Sequence, residues 1–96
     1  MKNLQSVVPI PAPVPTRHAT GLHLIGDLYG CLCDSRLMLD AAHLENFCKD
    51  RVAAAGLTTV GSLFHSFGEG GGVTGVVVLA ESHLSIHTWP EAGYVT

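Results

Sequence analysis

The sequence predicts an α+β fold, an antiparallel sheet with a helix laid on one face. Three observations predict it. Leu37, Ala41, Leu44, Cys48, Val52 and Ala55 recur at steps of three and four, the apolar stripe of an amphipathic helix. Residues 22–29, 57–67, 73–80 and 84–89 are short, rich in apolar or β-branched side chains, and read as strands. Between two of them lies Gly68-Glu69-Gly70-Gly71-Gly72, best read as a hairpin connection.

Taken in order, the chain begins with a stretch that cannot pack as a helix. Pro9, Pro11, Pro13 and Pro15 alternate with small apolar residues, which favours extended polyproline-like structure. Residues 1–19 are therefore expected to be a flexible tail and residues 20–96 a single folded domain. A docking motif for a proline-binding domain is the weaker alternative for the tail. Leu22, Leu24 and Leu28 share one face of the first expected strand. Asp34 or Ser35 supplies an N-cap for the helix, and Gly56 its stop. The run Val76-Val77-Val78-Leu79 is apolar on both faces, as in a strand covered on both sides. One helix covers only one face. The other needs a second layer, so the expected assembly is a homodimer whose sheets pack into an α/β/β/α sandwich.

Bulk properties narrow the function classes. The 96 residues are 47% hydrophobic and 14% charged, with a mean hydropathy of +0.34. So short a chain buries a modest core, and this imbalance leaves apolar surface for a partner. A formal net charge of −3 with five Lys plus Arg lacks the clustered basic face of a nucleic-acid binder. No apolar run approaches the roughly 18 residues of a membrane span, and the prolines interrupt any signal-peptide core. Three cysteines, Cys31, Cys33 and Cys48, form no disulfide-rich pattern and fit a reducing cytoplasm.

Four features could carry chemistry. The glycine-rich connection has no following Lys-Ser or Lys-Thr, so it is not a phosphate loop. Cys31 and Cys33 lack a second pair and read as idle or buried thiols. His83 and His87 have zinc spacing for a helix, yet they alternate with Leu84, Ile86 and Thr88 as in a strand, and no metal is expected. The fourth is Leu79-Ala80-Glu81-Ser82-His83-Leu84-Ser85-Ile86-His87-Thr88-Trp89-Pro90-Glu91. There a Glu-Ser-His triplet interrupts two apolar strands, and the only tryptophan sits in Trp-Pro-Glu.

This segment, with Gly75-Val76-Val77-Val78 before it, resembles the processing-site motif of bacterial S-adenosylmethionine decarboxylases. The likeness extends to Gly21-Leu22-His23-Leu24, to Tyr29 and Cys31, and to Phe64-His65-Ser66-Phe67. It covers about residues 20–96. The resemblance implies a lyase proenzyme that cleaves itself at Glu81-Ser82. The Ser82 hydroxyl attacks the Glu81 carbonyl and turns the amide into an ester. Elimination then leaves dehydroalanine, which hydrolyses to a pyruvoyl group. In the family this cofactor forms a Schiff base with S-adenosylmethionine and decarboxylates it, yielding the aminopropyl donor for spermidine.

By the same resemblance His87 is the base in processing, a task imidazole suits near neutral pH. Five residues separate it from Ser82, so a straight strand would put the two on opposite faces, and the chain is expected to turn between them. Thr74 matches a position usually held by a processing serine. Phe67 and Trp89 match the aromatic groups around the adenine, where ordinary packing is the alternative reading. Glu91 matches the carboxylate that holds the ribose. Family members continue beyond the residue matching Thr96 into a strand whose cysteine protonates the product. None of Cys31, Cys33 or Cys48 matches it, so the chain is expected to be C-terminally truncated relative to the family. The alternatives are a pyruvoyl-dependent arginine or ornithine decarboxylase, which needs neither the aromatic pair nor Glu91, and a catalytically incomplete binding or structural subunit.

Overall fold

The computed structural model describes residues 21–96. The expected tail over residues 1–19 lies outside the described residues. Two helices, α1 (Arg36–Leu39) and α2 (Ala41–Ala54), precede four strands: β1 (Thr59–Ser66), β2 (Val73–Leu79), β3 (His83–Trp89) and β4 (Tyr94–Val95). The strands form one antiparallel sheet in the order β1-β2-β3-β4.

Where the sequence predicts one helix through Leu37 and Ala55, there are two, because Asp40 intervenes. Its backbone is extended, with φ −109° and ψ 109°. Its carboxylate accepts the His43 N–H at 3.1 Å, satisfying an amide that a helix start leaves unpaired. Asp40, rather than Asp34 or Ser35, therefore caps the long helix. Ser35 flanks the short α1 without a side-chain cap bond. Leu44, Cys48 and Val52 are buried as the stripe requires, whereas Ala55 is exposed at the C-cap. Gly56 ends the helix as expected, at φ +79°. Its N–H bonds the Ala53 carbonyl, and the Leu57 N–H bonds that of Val52, the paired closure that a left-handed glycine permits.

The expected strand over residues 22–29 is not one. Isolated bridges mark only Gly26 and Leu28, the latter pairing with Val95, while Leu22, Leu24 and Ile25 are exposed. The reason is the short template: β4 offers only Tyr94 and Val95 for pairing. The glycine connection does make the β1–β2 hairpin, where the Phe67 N–H bonds the Gly72 carbonyl at 3.0 Å.

Strand β2 decides which face is core. Val73, Gly75, Val77 and Leu79 are buried, and Thr74, Val76 and Val78 are exposed. The buried set packs with Leu44, Cys48 and Val52 of α2, each full apolar side chain contributing about 1.5–3 kcal/mol. Phe64 lies over Gly75 so closely that a Cβ there would stand 2.1 Å from the ring. The doubly apolar run of β2 is thus covered on one face by this chain. Its other face stays open, with Leu63, Val76, Val78 and Phe67 39–74% exposed.

One buried hydroxyl ties the layers together. Thr88 is 1% exposed. Its Oγ1 donates to the Met38 carbonyl at 2.7 Å and accepts the Val73 N–H at 2.9 Å. Thr88→Val keeps the shape and leaves two buried backbone groups unpaired. It should lower unfolding stability by about 2 kcal/mol, read as an earlier midpoint in urea at an unchanged slope.

Candidate active site

Directly opposed residues of an antiparallel pair share a face, which fixes the open face of the sheet. His65 pairs with Thr74, and Thr74 with His87. Leu63 pairs with Val76, and Val76 with Ser85. Val78 pairs with His83. Every histidine of β1 and β3 therefore lies on the face that α2 does not cover.

Two of the residues singled out in the sequence meet there. The Thr74 hydroxyl and His87 Nδ1 are hydrogen-bonded. Both line a cleft of about 340 Å³ with His23 and Ser85. Phe67 and Trp89 flank the imidazole, with ring centroids 5.8 and 4.0 Å from that of His87. The threonine, the imidazole and the two aromatic rings thus form one cluster. Glu91 sits exposed beside it on a single 3₁₀ turn, Pro90–Ala92.

Glu81 and Ser82 are elsewhere. They occupy the exposed connection between β2 and β3, at the opposite end of β3 from His87. The turn expected between Ser82 and His87 does not exist, because β3 runs unbroken through His83–Trp89. Regular pairing of His83, Leu84, Ser85, Ile86 and His87 with β2 holds it straight. Five residues of strand span about 16 Å, far beyond hydrogen-bond reach. Ser82 lines a second cleft of about 550 Å³, which shares His23, Leu24 and Ser85 with the first.

The structure also recruits residues that sequence reasoning did not select. Tyr94 stacks on Trp89 at 4.8 Å and on Tyr29 at 4.6 Å, extending the aromatic row. The Tyr94 hydroxyl donates to Asp27 Oδ1 at 2.9 Å, and that bond to a carboxylate pushes the phenol pKa up. His65 meets Phe67 edge-on at 4.6 Å. Thr58 bonds the Glu81 carboxylate across 23 residues, a contact with no local signal in the sequence. Cys48 is a core thiol whose pKa burial pushes up. Cys31, Cys33 and Cys48 are all free. Among the described residues no cluster of three or more metal-ligating side chains occurs. No described helix is long and apolar enough to cross a membrane.

The family described as S-adenosylmethionine decarboxylase matches residues 22–96. The chain is 50% identical over 82 residues to the S-adenosylmethionine decarboxylase proenzyme of Pyrobaculum aerophilum, covering 83% of this chain and 62% of that protein. It is 44% identical over 77 residues to the proenzyme of Caldanaerobacter subterraneus, covering 80% and 60%. The crystal structure of the adenosylmethionine decarboxylase from Aquifex aeolicus superposes with a TM-score of 0.62 at 40% identity, over 72% of this chain and 54% of that one. The chain thus spans about three fifths of the length of these curated relatives.

Proposed function

The chain belongs to the S-adenosylmethionine decarboxylase family, and from that premise we propose that it cleaves itself at Glu81-Ser82 and decarboxylates S-adenosylmethionine. The observation that carries the proposal is the exposed, tethered Glu81-Ser82 turn beside a cleft, on the same sheet as a hydrogen-bonded hydroxyl–imidazole pair. In the first step the Ser82 Oγ bonds to the Glu81 carbonyl carbon, the peptide C–N bond breaks, and the hydroxyl proton ends on the freed Ser82 amine. In the second a base removes the Ser82 α-proton, and the Glu81 carboxylate leaves. The resulting dehydroalanine loses ammonia to water and becomes a pyruvoyl group. An exposed serine at a turn opening on a cleft fits such a group without displacing core side chains. When present, it supplies a carbonyl that engages the substrate amine and withdraws the electrons released with carbon dioxide.

The chain's own residues bind the substrate and move the processing proton, while solvent supplies the proton that replaces the departing carboxylate. His87 takes the α-proton, with Nδ1 oriented by the Thr74 hydroxyl. Phe67 and Trp89 hold the adenine, and their faces attract the sulfonium. Glu91 accepts from the ribose hydroxyls. The length of β3 prevents a protomer from using its own His87 on its own Ser82, so a second copy supplies it. Two open faces packed about 10 Å apart, with β3 antiparallel to its partner, bring each Ser82 toward the other chain's His87. The same packing buries Leu63, Val76 and Val78. The free cysteines support a reducing cytoplasm.

The proposal is tested by release of carbon dioxide from carboxyl-labelled substrates. Label from S-adenosylmethionine, and none from arginine or ornithine, is the expected result. Release from either amino acid in preference would favour the related decarboxylases, which lack any use for Phe67, Trp89 and Glu91. No release from any substrate would favour a binding subunit.

A further inference from the structure

Self-cleavage at Glu81-Ser82 engages only the main-chain carbonyl of Glu81 and leaves its side chain without a task. Yet that carboxylate is held. It accepts the Thr58 N–H at 3.0 Å and the Thr58 hydroxyl at 3.0 Å. The same threonine's carbonyl accepts the Ala80 N–H at 2.9 Å, and the Ser82 carbonyl accepts the Leu79 N–H at 3.0 Å. Both residues flanking the scissile bond are therefore tethered, one by its side chain and the other by its carbonyl, although both are exposed.

We propose that Thr58 is a positioning residue for self-cleavage, gripping the Glu81 carboxylate so that the Glu81 carbonyl stays within reach of the Ser82 hydroxyl. The inference rests on the cleavage reading above and assigns that reaction a residue it did not include. Attack requires oxygen and carbonyl carbon about 3–3.5 Å apart and aligned. An untethered turn samples many rotations about the Glu81 and Ser82 backbones, and the grip removes them before the reaction begins. It also keeps the carboxylate away from its own carbonyl, where negative charge would oppose the oxyanion that forms on attack. The Thr58 N–H, and after it the Thr58 hydroxyl, lower the Glu81 carboxyl pKa. Because the folded value is the lower one, the grip is complete above the ordinary glutamate range and is lost as pH falls through the lowered value.

Double-mutant kinetics of fragment appearance test this. Thr58→Val should slow cleavage about fivefold, the worth of one hydrogen bond, and Thr58→Ser should restore it. Glu81→Ala should slow cleavage about tenfold or more, and adding Thr58→Val to it should slow it no further. Cleavage of Thr58→Val at the unaltered rate, or effects that multiply independently, would overturn the proposal. Absence of cleavage in the unaltered chain would instead count against the cleavage reading. The grip is then read alone by carbon NMR titration of the Glu81 carboxyl, which should titrate lower in the unaltered chain than in Thr58→Val. Equal titration in the two would overturn it.

Discussion

Replacing Ser82 by alanine leaves the chain in one piece under every condition in which the unaltered chain divides. Alanine has no oxygen to attack the Glu81 carbonyl, so neither ester nor dehydroalanine can form. The expected loss of cleavage is complete rather than partial, since no neighbouring hydroxyl lies within the connection from Ala80 to His83. Decarboxylation disappears with it, because no carbonyl cofactor arises. Ser82 is exposed and outside the core cluster, so the free energy of unfolding should stay within about 0.5 kcal/mol of the parent. Two fragments from the Ser82→Ala chain, divided between residues 81 and 82, would remove Ser82 from its role.

The second large effect concerns His87 and separates the two steps of cleavage. Ester formation needs the Ser82 hydroxyl, whereas elimination needs a base. His87→Ala should therefore accumulate the ester, and hydroxylamine, which attacks esters far more readily than amides, should cut it between Glu81 and Ser82. Thr74→Val, which removes the hydroxyl bonded to Nδ1, should slow elimination less severely. Co-expression then decides which chain supplies the base. In a mixed dimer of Ser82→Ala and His87→Ala chains, the His87→Ala chain should be processed, because its Ser82 meets an intact His87 from the other copy. If the mixture stays unprocessed, base and serine belong to one chain. If His87→Ala alone forms pyruvoyl at the parent rate, the base must be sought at His83 or His65.

What the sequence revealed and what it hid divide along physical lines. The stripe of α2 was legible because a period of three to four is a direct consequence of backbone geometry, whereas β2, apolar on both faces, did not reveal which of them the helix covers. Gly56 was legible because only glycine enters the left-handed region without strain. Asp40 was missed because its capping bond to His43 interrupts a stripe whose apolar spacing runs straight through it. Residues 22–29 alternate as a strand should, but a strand needs a partner, and β4 provides only two residues. The resemblance supplied Ser82, His87, Thr74, Phe67, Trp89 and Glu91, and four of these gather on the open face. The separation of Ser82 from His87 was hidden until β3 was seen to run straight. Thr58 and Tyr94 were beyond reach, since their contacts to Glu81 and Asp27 span 23 and 67 residues.

The central claim, that this chain cuts itself between Glu81 and Ser82 and converts Ser82 into its own cofactor, is tested most directly by the intact mass of the unaltered protein. Two fragments are expected. The first ends in the free carboxylate of Glu81. The second begins at residue 82 and is lighter than a serine-terminated chain by one ammonia, with no amino terminus open to sequential degradation. A single mass equal to that of the uncut chain, unchanged on prolonged incubation, would contradict the account.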